Sequence, residues 1–178
     1  MPPLRTLASE LQTTDRTLRR ALRQGTLRGT RPSARKLDLP LGERVYLRRA
    51  WPLLTALRQA LRTEPAVRLA VLFGSRARGD ERPGSDVDLL VAFREEQSGR
   101  EVASRLIDRL GLSIEIVSLQ DAENAPVLLD QVLREGRVLV DRDGTWPALV
   151  ARESSIRRAA QRERRRIDVA FASAFPEQ

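Results

Sequence analysis

Leu72-Phe73-Gly74-Ser75-Arg76-Ala77-Arg78-Gly79, followed by Ser85-Asp86-Val87-Asp88-Leu89-Leu90-Val91, is the stretch on which the fold turns. Its first half closes a mostly apolar run that begins at Val67 and stops on a glycine. Its second half opens another, from Val87 to Phe93. Both runs read as strands, joined by the loop Gly79 to Ser85. Strand side chains alternate between faces, so Asp86 and Asp88 point one way and Val87 the other, into the core. Paired carboxylates at a strand end suit divalent metal ions. Gly74 permits close backbone approach where a helix can begin, and free amides with the Ser75 hydroxyl can meet phosphate oxygens there. Arg76 and Arg78 follow within one turn and can grip the same oxygens.

Further along, strand and helix patterns alternate. Glu101 to Leu110 is an amphipathic helix, with apolar residues at 102, 103, 106, 107 and 110. Ser113 to Leu119 is a third strand, Val127 to Arg134 a helix stopped by Gly136, and Arg137 to Val140 a short last strand. Glu115 lies between Ile114 and Ile116. An acid in an apolar strand needs a partner, a proton or a metal ion, and joining Asp86 and Asp88 meets that need. On a solvated sheet face it would ligate nothing.

The flanks are helical. Asp15 to Gln24 reads as a helix with Thr14 as N-cap and Gly25 as stop, and a short segment, Thr6 to Leu11, precedes it. Thr26 to Leu39 suits a hairpin or a loop. Gly42 to about Glu64 carries Leu53, Leu54, Leu57, Ala60 and Leu61 at helical spacing, with Pro52 inside to kink or restart the helix. Trp146 to about Phe175 is a C-terminal helix. Its basic run, Arg162 to Arg166, is either a solvated face or a binding patch. The chain so divides into a module at 1–40, a connecting helix at 41–65, a strand–helix domain at 66–145 and a terminal helix at 146–178.

Composition narrows the chemistry. The 178 residues include no cysteine and no histidine. Disulfides, thiol catalysis, Ser-His-Asp catalysis and the common zinc sites are therefore excluded. A metal would have oxygen ligands, which favours magnesium or manganese. No apolar run reaches the ~18–20 residues that span a bilayer, and the N-terminus lacks a secretory layout, so no membrane association and a cytoplasmic protein are expected. The net charge is +8, nearly all of the basic residues being arginine. Such an excess fits an acidic partner, or an arginine-rich proteome on ordinary solvated faces.

The quoted stretch resembles the signature of the minimal nucleotidyltransferases in the DNA polymerase β-like superfamily. The likeness covers about residues 66–140. It implies an α+β fold, a mixed sheet with flanking helices, in which Asp86, Asp88 and Glu115 bind magnesium and Gly74 and Ser75 contact the triphosphate. The third acid is often aspartate in relatives; glutamate is one methylene longer. Members of this family often resemble antitoxins paired with a HEPN-type toxin, which implies transfer of AMP from ATP to a hydroxyl of that partner. Relatives also modify aminoglycosides or tRNA ends.

In the helix from Asp15 to Gln24, Arg16, Arg19, Arg20 and Arg23 fall at i, i+3, i+4 and i+7 and make one stripe, opposite Leu18, Ala21 and Leu22. The segment resembles helix-turn-helix DNA-binding domains, with Thr26 to Leu39 as a wing, and such modules commonly act as homodimers on paired half-sites. An ordinary amphipathic helix is the plainer reading. Three functions stand: an AMP-transferring antitoxin that binds DNA, a DNA-binding regulator whose nucleotidyltransferase fold senses nucleotide or a partner, and a small-molecule or tRNA nucleotidyltransferase.

Overall fold

A computed structural model describes residues 4–33, 37–95 and 99–174. At its centre lies a four-stranded mixed sheet of order β3-β2-β1-β4, formed by β1 (Val67–Phe73), β2 (Val87–Phe93), β3 (Ile114–Ser118) and β4 (Arg137–Asp141). β1 pairs antiparallel with both β2 and β4, while β2 and β3 run parallel, joined by α5 (Gly99–Leu110). A parallel pair requires such a crossover, because a tight turn can only reverse the chain.

Alternation along the strands sorts the core into two layers. Val67, Ala70, Leu72, Val87, Leu89 and Val91 pack beneath α1 (Leu4–Glu10), α2 (Asp15–Arg23), α3 (Leu41–Arg62) and α5. Leu69, Val71, Phe73, Leu90 and Val138 pack against α6 (Leu119–Glu123), α7 (Pro126–Glu135), α8 (Thr145–Ala151) and α9 (Glu153–Ala174). The N-terminal helices therefore share one continuous core with the sheet: Leu7, Leu18, Ala21 and Leu27 belong to the same buried cluster as Val67 and Val87.

The local signals have visible causes. Thr14 caps α2 by accepting a hydrogen bond from the Thr17 amide at 3.2 Å. Thr30 and Asp38 form an antiparallel bridge with both hydrogen bonds at 2.9 Å, while Ala34 to Lys36, in the expected wing, lie outside the described residues, as do the chain ends at 1–3 and 175–178. Pro52 neither restarts nor ends α3, which runs unbroken for 22 residues. Pro52 is exposed, so the carbonyl it leaves without an amide partner is on the wet side of the helix. The expected single C-terminal helix is two, divided at Arg152, and α6 was not foreseen at all.

One ion pair fastens the layers. Arg137 and Glu43 are almost fully buried and meet through two hydrogen bonds, at 2.7 and 2.9 Å. The guanidinium also donates to the carbonyls of Ala77 (2.7 Å) and Thr26 (3.2 Å) and lies 3.6 Å from the centroid of Tyr46. Burial pushes the Tyr46 phenol up to about 12, and its hydroxyl donates to the Arg76 carbonyl. The outer edge of β4 is covered by the turn after α2: the Val138 amide donates to the Gly25 carbonyl at 3.1 Å, and the Thr26 hydroxyl donates to the Val138 carbonyl.

Truncating one member of a buried pair strands the other charge. Arg137→Ala is expected to lower stability by about 3–5 kcal/mol in urea unfolding. Arg137→Met combined with Glu43→Leu should lose much less. Equal losses for the single and double variants would show that the pair is not what holds the layers.

Candidate functional site

β1 ends at Phe73, and its register pairs Phe73 with Asp88 on β2. Gly74 then starts α4 (Gly74–Arg78) at φ +71°, and a Cβ there would lie 2.1 Å from Asp88 Oδ2. Two constraints thus demand glycine: the left-handed backbone and the carboxylate pressed against it. Val87 is fully buried on the opposite face, between an exposed Asp86 and a half-buried Asp88. In the parallel pairing of β2 with β3, Glu115 is the direct partner of Asp88. The motif acids and the third acid therefore come to one end of the sheet.

Glu115 differs from expectation in one respect. β3 is an edge strand, and Glu115 is exposed rather than enclosed by its apolar neighbours. Burial does not force a partner on it; what draws attention to it is the register opposite Asp88.

Burial raises the Asp88 carboxyl above the usual carboxylate range, and the negative charges of Glu115, Asp86 and Glu135 raise it further, against the pull of Arg78. An all-oxygen cluster with excess negative charge is the donor chemistry of a hard divalent cation. Among the described residues, no three acidic side chains stand close enough to share one ion as they are oriented. Asp86 and Glu115 are both exposed, so rotation of their side chains is unhindered by packing.

The arginines divide. Arg76 was expected to grip phosphate, but its guanidinium is turned into the loop, donating from Nε to the carbonyls of Ser85 (3.0 Å) and Asp86 (3.2 Å) and from Nη2 to Ser85 (2.7 Å). It fastens the loop that delivers the acids. Arg78 pairs with Asp80 at 3.0 Å and donates from Nη1 to both oxygens of Glu135, at 3.1 and 3.0 Å. These hydrogen bonds, Asp80 first, raise its pKa. The Ser75 side chain makes no hydrogen bond among the described residues.

Glu135, the last residue of α7, escaped the sequence reading. It accepts the Gly74 amide at 2.9 Å, the Arg78 guanidinium, and the Gln131 side-chain amide at 2.8 Å. A signal was present: a glutamate at a helix C-terminus opposes the helix dipole and calls for a nearby cation. Here that cation is Arg78.

The N-terminal stripe stands apart. Leu18 and Ala21 are buried while Arg16, Arg20 and Arg23 are exposed and Arg19 is half-buried. α2 lies in the layer across the sheet from Asp88, so these arginines and the acids do not form one site.

Known proteins share this fold. The chain matches the solved structure of a toxin–antitoxin with AMP-PNP at 25% identity and a TM-score of 0.55, over 66% of this chain and 97% of that one. A variant of the toxin–antitoxin MntA-HpeT matches at 26% identity and a TM-score of 0.54, over 66% and 95%. A tri-AMPylated Shewanella oneidensis HEPN toxin in complex with MNT antitoxin matches at 23% identity and a TM-score of 0.52, over 68% and 97%, a likeness of fold. The comparison with curated protein sequences gives no match. The family model described as "Polymerase beta, Nucleotidyltransferase" matches residues 55–145, half of the chain, including Gly74, Ser75 and all three candidate acids. This protein belongs to the polymerase beta nucleotidyltransferase family.

Proposed function

We propose that the chain transfers AMP from ATP to a hydroxyl of a partner protein, as the antitoxin of a pair whose toxin is of HEPN type. The observation that carries this reading is the register that puts Asp88 opposite Glu115 and against Gly74. Support for the nucleotide comes from the AMP-PNP in a related toxin–antitoxin structure, nearly all of whose matched chain this protein covers. Support for the acceptor comes from the fold shared with an antitoxin seen beside a tri-AMPylated HEPN toxin.

In the reaction, the acceptor hydroxyl oxygen bonds to the α-phosphorus of ATP. The bond from that phosphorus to the bridging oxygen breaks, and pyrophosphate leaves. The exposed carboxylate of Glu115 is suited to take the hydroxyl proton. Asp86, Asp88 and Glu115 would hold magnesium or manganese, which when bound supplies charge stabilisation at the attacking and leaving oxygens. Gly74 and Ser75 meet the phosphates through the backbone amide and the hydroxyl. Arg78, in place of Arg76, is the guanidinium within reach of that loop. The Gly74 amide and Arg78 both bind the Glu135 carboxylate, so an incoming triphosphate replaces one anion by another.

The reading includes DNA binding by α2 through Arg16, Arg19, Arg20 and Arg23, a homodimer on paired half-sites, and a cytoplasmic setting. No helix among the described residues is long and apolar enough to cross a membrane.

Replacing both motif acids, Asp86→Ala with Asp88→Ala, should reduce transfer of label from α-labelled ATP to background while DNA binding persists. Transfer surviving in that variant would overturn the site. Asp88→Asn alone should raise the melting temperature by about 2 °C, because a desolvated charge among like charges is removed, and should still abolish transfer. Glu135→Gln should lower KM for ATP about threefold to fivefold with kcat nearly unchanged, since a weaker internal competitor remains on Gly74 and Arg78. A fall in kcat at constant KM would mean that Glu135 positions the loop and does not compete with ATP.

A further inference from the structure

Between α2 and α3 lies an open trough of about 490 Å³. Arg16 and Arg20 of α2 form one wall, Arg58 and Arg62 of α3 the other, and no acidic residue lines it. Several arginines elsewhere are matched to acids: Arg48 with Glu10, Arg105 with Glu64, Arg152 with Glu123. Among the described residues none of the four trough arginines takes part in a salt bridge.

Arg58 shows how the charge is kept. Its guanidinium donates to Gln24 Oε1 at 2.5 Å and to Thr26 Oγ1 at 3.4 Å, both uncharged acceptors. Burial, then Arg62 and Arg20, lower its pKa, so the fold gathers like charges here without compensating them. On each helix the pair is spaced i,i+4, which sets two parallel rows of guanidinium groups. Arginine's planar fork matches phosphate oxygens two at a time.

We propose that these two rows bind the phosphate backbone of duplex DNA, with α3 supplying half of the contact. The proposal rests on the reading of α2 as a DNA-contacting helix and adds a second helix to it. Duplex is favoured over single strands because the one aromatic residue in the trough, Trp51, is only 5% exposed and offers no face for a base to stack on. It also divides the stripe on α2. Arg16 and Arg20 face phosphate with α3, while Arg23 lines a separate hollow with Gly25, Val138 and Trp146. Contacts through the trough hold register and carry no base sequence.

The test is a fluorescence-anisotropy titration of the full chain with labelled duplexes of unrelated sequence over a range of salt. Arg62→Ala, an exposed position, should weaken binding to every duplex alike and reduce the slope of log K against log salt by about 1, with the melting temperature unchanged. Arg62→Lys should restore the slope. Arg58→Gln should behave as Arg62→Ala does, while Arg100→Ala, outside the trough, should not. An unchanged slope for Arg62→Ala and Arg58→Gln, with binding lost in Arg16→Ala/Arg20→Ala, would remove α3 from the interface and leave α2 as the DNA helix. No duplex binding by the unaltered chain at low salt would overturn both. Tighter binding of single strands, or of polyglutamate at equal charge, would overturn the duplex proposal in favour of that ligand.

Discussion

The arrangement of this protein depends on a charge pair that would be costly to bury in any looser form. Arg137 and Glu43 lie out of water, and desolvation can offset their mutual attraction unless every donor finds an acceptor. Here the guanidinium reaches the carboxylate twice, two backbone carbonyls and the Tyr46 ring, so the penalty is met by geometry. Those partners come from the turn after α2, from α3 and from α4. Segments far apart in sequence are thereby fixed relative to β4, and with them the loop that carries Gly74.

The same constraint reaches the candidate site through short paths. Ala77, whose carbonyl Arg137 holds, lies two residues before Gly79, and the Tyr46 hydroxyl holds the carbonyl of Arg76. Arg76 in turn fastens Ser85 and Asp86. A chain of hydrogen bonds so runs from a buried ion pair to the entry of β2, where the acids begin. Glu135 binds the same loop from the other layer. The short helix that Gly74 opens is thus held from both sides of the sheet, at Arg76 and Ala77 from one layer and at Gly74 from the other, where Asp88 lies against it.

Much of this was legible in the sequence, and for identifiable reasons. The β1 and β2 runs are apolar and bounded by glycine or by the Asp-x-Asp, so their limits at Val67–Phe73 and Val87–Phe93 follow from pattern. Thr14 announced its cap because a hydroxyl before a helical run has one local use. What was hidden is long-range. Arg76 and Arg78 look alike in sequence, and only the path of the loop separates a residue that fastens carbonyls from one that faces an acid. Glu115 seemed enclosed because its neighbours are isoleucines, but edge or centre is a property of strand order. Pro52 lies in an unbroken helix because its exposed side tolerates a missing donor. Glu135 depends on a partner 61 residues away.

The cover over β4 bears on where this protein can be cut. The family region, 55–145, retains Arg137 but leaves behind Glu43 and the Gly25–Thr26 turn. Excised along that boundary, the sheet would carry a buried cation with no anion and an open strand edge at Val138, a template for pairing with other chains. The stretch that the family model matches and the stretch that keeps this buried pair and this strand edge covered are different lengths of chain, and the N-terminal segment is part of the second.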